Sequence, residues 1–380
     1  MHRIFFIAIA AILHCGLTLA QADCLRGFRN PQDKYPHTTA QPAVAPFALK
    51  VNEMPLGGVI YRPRGESEER TLDAYLKKFC TTGLLVLKDD TIVFERHLQG
   101  HDASDHLLSA SVSKTILSLL VGIAIEEKKL ALGDKVRTIL PDFKDSAFAD
   151  ATVEDLLRMS SGAALIEGYD VGRFSDNLAI NPLVEPFRDT REFLREKKQL
   201  AGKPGTIFAY NGAQTAVLGL MLAERVGGSL TPYLEQKLWV PMGAESKAHW
   251  LQNRLGQEGA QGFFVATLRD YARLGYLVMN QGRINGKQVV PASWIASMVE
   301  LRRDKPQPTA VPYYGLHIWI PQAAGGRSFF WGTNGQNIFV DPIARVVIVH
   351  TGNSPKAEFH GNGHLFPLRD AITQTLAAGK

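Results

Sequence analysis

Cysteine is scarce in this sequence, with Cys15, Cys24 and Cys80 the only three among 380 residues. Neither these nor the 11 histidines fall at metal-ligand spacing, so no Cys/His metal centre is expected. A glycine-rich phosphate loop, an internal repeat and a low-complexity tract are also missing, which removes nucleotide-cradling loops, solenoids and disordered tails. Charge of one sign never accumulates. The net charge of +5 is dispersed, and EEKK (126–129) and REKK (195–198) mix both signs, as solvated helix faces do and nucleic-acid footprints do not. What is present is the composition of a soluble globular chain: 45% hydrophobic, 21% charged, 9% aromatic.

The apolar run Ile4 to Leu13 is unbroken but too short to cross a bilayer. It follows Met-His-Arg and ends near Ala20-Gln21-Ala22, a small-x-small pattern, so residues 1–22 read as a secretory signal peptide, with a membrane anchor as the competing reading. The residues before Cys15 and Cys24 are His14 and Asp23, which are not the small residues of a lipoprotein site. The expected location is periplasmic or secreted, with no stable membrane span after cleavage. Cys24 and Cys80 then remain, either as a disulfide or with Cys80 free and buried.

Residues 23–65 are rich in proline and predict an extended lead-in over the surface. LDAYLKKFC (72–80) predicts a helix, and GLLVLKDDTIVFERHLQG (83–100) a hairpin turning at Lys88-Asp89-Asp90. From Ser109 to about Leu130 apolar residues wrap every face, predicting a buried central helix. The stretch 135–255 reads as mostly helical. Strand signals return in GLHIWIP (315–321), FFWGTNGQNIFVDP (329–342) and RVVIVHTG (345–352), and FPLRDAITQTLAA (366–378) predicts a closing helix. Strands early and late with helices between imply an α/β (α+β) domain over 66–380. Its mostly antiparallel sheet comes from about 66–108 and 256–380, flanked by helices, with a helical lobe (about 109–255) inserted and a cleft where they meet.

The segment SASVSKTILS (109–118) carries the candidate chemistry. Ser111 and Lys114 are three apart, so a helix places them on one face. A serine hydroxyl is a weak nucleophile until a base takes its proton, and a buried lysine with a lowered pKa can be that base. The unpaired N–H groups of a helix start favour the negative charge that develops. The bland alternative is a polar helix entry that happens to contain a lysine.

SVSK at the head of a buried helix resembles the serine–lysine motif of the β-lactamase and penicillin-binding-protein superfamily. TVEDLLRMSSG (152–162), PGTIFAYNG (204–212), TAVLGLMLAERVGG (215–228), LWVPMGAE (238–245), ATLRDYARLGYLVMNQG (266–282) and WGTNGQNIFVDP follow in order. Together they are similar to the class C-like serine hydrolases, and most to the 6-aminohexanoate-dimer hydrolase and related esterase group, over about Leu72 to Ala377. The resemblance implies a β-lactamase/transpeptidase-like fold, with Ser111 as acylated nucleophile, Lys114 as base and Tyr210 as proton shuttle. It places Trp331-Gly332-Thr333 on the strand facing the serine, with the Asn334 and Ser111 N–H groups as the oxyanion hole. No metal or organic cofactor is implied, and the partner is a small ester or amide.

Departures bear on the substrate. The usual Tyr-x-Asn reads Tyr210-Asn211-Gly212, which leaves Asn211 a weak candidate. Trp331-Gly332-Thr333 stands where Lys-Thr-Gly would supply a charge for a carboxylate, favouring esters or amides over penicillins unless Arg327 or another cation substitutes. Ser175-Asp176-Asn177 and His350-Thr351-Gly352 match class A motifs but are read as coincidental, the first in a loop without helical setting. Asp170 is either a substrate-contacting acid or a loop cap. His249, His317 and His360 are read as surface or packing residues, Asp270 and Arg273 as a structural ion pair, and Trp239, Trp250 and Trp294 as core. A β-lactamase or D-alanyl carboxypeptidase and an inactive binding protein on this fold remain the alternatives.

Overall fold

The computed structural model describes residues 24, 28–168, 174–322, 325–355 and 362–378. The signal-peptide reading, Asp170 and His360 lie outside the described residues.

An eight-stranded sheet forms the frame. Its spatial order is Tyr313–Tyr314, Trp319–Ile320, Ser328–Trp331, Asn337–Asp341, Val346–Gly352, Thr81–Lys88, Thr91–His97 and Lys50–Val51. All neighbours are antiparallel except the last pair. The hairpin forms where the sequence predicts it, turning through Asp89 at a positive φ of 55°. Alternation along each strand sorts side chains between two cores. Leu85, Leu87, Phe330, Ile338, Val347 and Val349 face a large core shared with the Val112–Glu126, Gly212–Val226 and Leu268–Met279 helices. Leu84, Val86, Phe329, Phe339, Val346 and Ile348 face a smaller core under the Leu72–Lys78 and Asn362–Ala378 helices. Burial on both faces explains why these strands read as near-continuous apolar runs.

A second, four-stranded sheet, ordered His37–Ala40, Ala248–Leu251, Phe264–Ala266 and Leu107–Leu108, was not visible in the sequence. It gives strands to two segments read otherwise, the proline-rich lead-in and the helical stretch 135–255. Lys50–Val51 and Ile60–Tyr61 add further strand pairing within that lead-in. Cys24 and Cys80 are bridged. Trp239, Trp250 and Trp294 are buried, as expected. No helix among the described residues is long and apolar enough to cross a membrane.

Candidate active site

The small sheet delivers the serine. Leu107–Leu108 pairs with Phe264–Ala266, and the Ser109 N–H donates to the Phe264 carbonyl at 2.8 Å. Ala110 then turns through φ 44°, a left-handed conformation that costs an alanine on the order of 1 kcal/mol or more. Ser111 follows as the N-cap of the Val112–Glu126 helix. Its side chain caps nothing, so the hydroxyl is available.

Lys114 rises one turn later, on the same face. Its Nζ donates to Ser111 Oγ at 2.8 Å and to the Gln261 carbonyl at 2.6 Å, and lies 5.3 Å from the centre of the Tyr210 ring. The residue is only 3% exposed. Burial pulls its pKa down from 10.5 to about 7, against a smaller upward pull from the Glu167 carboxylate. A neutral amine with its lone pair toward a hydroxyl 2.8 Å away can accept that proton near neutral pH.

Tyr210 precedes the Gly212–Val226 helix. Burial pushes its phenol above the usual range, the Ser111 side chain pulls it back as a hydrogen-bond partner, and Glu167 raises it again. The phenol therefore holds its proton and can pass one only in exchange. Its ring lies 5.4 Å from Trp319 and 5.8 Å from Tyr314. Asn211 is the N-cap of the following helix, its Oδ1 accepting from Ala213 N–H at 2.9 Å. That side chain is turned to the helix and buried.

On the other side the Ser328–Trp331 strand ends against the serine turn. A Cβ on Gly332 would sit 2.7 Å from the Ser109 carbonyl oxygen and 3.0 Å from Ala110 Cβ, so only glycine permits this approach. Thr333–Gly335 then form a single tight turn in which Asn334 has φ 62°. The Asn334 carboxamide is occupied, donating to the Ser354 carbonyl at 2.8 Å, so any role in the site falls to its backbone N–H. Among the described residues neither that N–H nor the Ser111 N–H has a backbone acceptor. Trp331 packs against the smaller core, beside Phe329 and Phe366, and its ring lies 5.3 Å from that of Trp319.

The two motif matches read as coincidental have structural work nearby. His350 hydrogen-bonds the Gly335 carbonyl through Nδ1 at 2.6 Å, and its Nε2 is 3.1 Å from the Tyr75 hydroxyl, so it braces the Asn334 turn from behind. Ser175-Asp176-Asn177 is not a bare loop. Ser175 caps a one-turn helix, Asp176–Ala179, and buried Asp176 holds the Ile166 N–H and pairs with Lys197. Loop polarity hid this, because a four-residue helix has no periodicity to read. His317 is buried, its pKa lowered to about 3 by burial and then by Lys114, and bonds Leu157 and Thr215; His249 is also buried. Both are packing residues. Arg273 pairs with Asp270 at 3.0 Å, as expected. Arg327 is paired with Asp341 through Nε at 2.6 Å.

The sequence missed Gln261, which acts through its backbone, and Trp319, whose only signal was a strand pattern. No group of three or more His, Cys, Asp or Glu that could hold a metal lies among the described residues.

Residues 69–366 match the β-lactamase family profile. The chain is 28% identical over 309 residues to the 6-aminohexanoate-dimer hydrolase of Paenarthrobacter ureafaciens, across 76% of this chain and 78% of that one. A solved structure from Bacillus anthracis, classed with the 6-aminohexanoate-dimer hydrolases, superposes with a TM-score of 0.83 at 21% identity, covering 93% of each chain. EstCE1, a hydrolase with promiscuous acyltransferase activity, gives 0.61 at 17% identity over 77% of this chain and 94% of its own.

Proposed function

The chain belongs to the β-lactamase family, and from that premise we propose that it is an exported serine hydrolase that opens a small ester or amide through an acyl-enzyme on Ser111. The observation that carries this reading is the 2.8 Å contact between Ser111 Oγ and the Lys114 amine, buried and lowered to a pKa of about 7. Lys114 takes the hydroxyl proton as Oγ attacks the carbonyl. Tyr210 relays a proton to the leaving group, and the Ser111 and Asn334 N–H groups receive the oxyanion. Water then repeats the sequence on the acyl-enzyme.

The similarity to a 6-aminohexanoate-dimer hydrolase supports amide substrates, and the aromatic lining of Tyr210, Tyr314 and Trp319 supports uncharged acyl groups. The pairing of Arg327 with Asp341 weighs against penicillins. Export is supported by the Cys24–Cys80 bridge, which persists in oxidising compartments.

The test is labelling by a fluorophosphonate probe, followed by a screen of p-nitrophenyl esters, short ω-amino amides, D-amino-acid peptides and cephalosporins. Labelling at Ser111, lost in Ser111→Ala, is expected. A folded wild type that neither labels nor turns over any of these would defeat the enzymatic reading and leave a binding protein.

A further inference from the structure

Residue 212 has no side chain, and something else occupies its space. A Cβ built on Gly212 would lie 2.7 Å from Asn177 Oδ1 and 3.2 Å from Gln261 Cγ. Asn177 Oδ1 accepts the Gly212 N–H at 2.8 Å, pinning the backbone two residues beyond Tyr210. Gln261, whose carbonyl holds the Lys114 amine, donates its Nε2 to the Ile180 carbonyl at 2.9 Å. Asn177 lies on the Asp176–Ala179 turn and Ile180 is its C-cap. One short turn therefore fastens both arms of the site, the phenol arm through Asn177 and the amine arm through Gln261.

The turn is itself anchored. Asp176 is fully buried and holds Ile166 N–H at 2.6 Å, and Ser175 caps the turn through the Leu178 N–H. Asn177 Nδ2 is buried without a partner among the described residues, a desolvation penalty that an apolar residue would avoid. A carboxamide kept at that penalty is placed for its contact with Gly212.

We propose that Asn177 is a positioning residue for Tyr210 and Lys114, its carboxamide filling the space vacated at Gly212 and bracketing the two proton-carrying arms. This rests on the serine hydrolase reading above. Asn177 need not touch substrate. It acts by holding the segment that sets where the phenol stands and, through the shared turn, the carbonyl against which the amine is held.

The experiment compares wild type, Ser111→Ala, Asn177→Ala and Asn177→Asp, using fluorophosphonate labelling rate and p-nitrophenyl acetate hydrolysis from pH 5 to 10. Asn177→Ala should lower kcat about 100-fold, the loss expected of an ångström-scale misplacement, with KM within about threefold. Its acid limb should move to higher pH, because a loosened amine regains water and its pKa rises toward 10.5. Asn177→Asp keeps the oxygen that accepts the Gly212 N–H and should hold kcat within about tenfold of wild type. Should Asn177→Ala lose its cooperative melt, Asn177→Ser takes its place. A labelled wild type with an Asn177→Ala variant of equal rate and unshifted pH profile overturns this inference alone, as does an Asn177→Asp variant no better than Asn177→Ala. A wild type that is not labelled at Ser111 overturns the parent reading and this inference together.

Discussion

Of the buried cations among the described residues, Lys114, Arg158, Arg273 and Arg369, two have surroundings that differ sharply, Arg273 and Lys114. Arg273, 1% exposed, is met by Asp270 at 3.0 Å, Glu245 at 2.7 Å and the Phe47 carbonyl at 3.0 Å. Lys114, 3% exposed, is met by a hydroxyl and a carbonyl, both neutral. Burial opposes charge at both places, and only Arg273 has counter-ions in contact. The arginine fastens the 245–246 turn and the Phe47 segment to the Leu268–Met279 helix. The lysine is left able to lose its proton, with Glu167 opposing burial only weakly. Whether a buried base stays charged or can become neutral is decided here by its immediate acceptors.

That contrast can be broken most forcefully at the lysine. Lys114→Arg keeps a charge that cannot be lost near neutrality, and should reduce kcat/KM on the best ester by about 10³-fold or more; near-normal turnover would show that no neutral amine is needed. Tyr210→Phe should lower kcat about 10²-fold or more without altering the circular dichroism spectrum, and unaltered turnover would remove the phenol from the proton path.

At the arginine the expected effect is on stability. Arg273→Met leaves Asp270 buried and unpaired, a loss of about 3–5 kcal/mol measurable by urea denaturation, while the labelling rate of the folded fraction is unchanged. Lys114→Met should run the other way and stabilise the fold by about 1–3 kcal/mol at pH 6, where the wild type carries a buried ammonium that Glu167 offsets only in part. The folded pKa of about 7 lies below the ordinary 10.5, so the folded state binds fewer protons between these values. Wild-type stability therefore rises with pH across that window, and the advantage of Lys114→Met should fade from pH 7 toward pH 10. An advantage that grew with pH would reverse the sign of the shift. The mildest change is in the rate itself: wild-type kcat/KM should climb about tenfold per unit on the acid side and level above pH 7.

How much of this was legible follows the distance over which each interaction is made. Ser111 and Lys114 lie one helical turn apart, and an apolar helix interrupted by a lysine announces itself. The two faces of the large sheet follow from alternation within single strands. Tyr210 carries no local signal and entered only through resemblance to a family. The Gln261 carbonyl, 147 residues from Lys114, was invisible because every residue has a carbonyl. His37–Ala40 was read as surface lead-in because prolines surround it, yet its strand exists through pairing with Ala248–Leu251, which local propensity does not report. Asn211 was held only as a weak candidate because of its place in the motif. One place early in sequence, its carboxamide turns back on its own helix.

The Cys24–Cys80 bridge has a consequence at the bench. Cys80 immediately precedes the Thr81–Lys88 strand, and its carbonyl accepts from Asn353 at 2.9 Å, next to Ser354, which holds Asn334 in place. Material produced in a reducing cytoplasm will lack this staple close to the Asn334 turn. Batches made with and without periplasmic targeting should therefore be assayed side by side before any weak activity is ascribed to the choice of substrate.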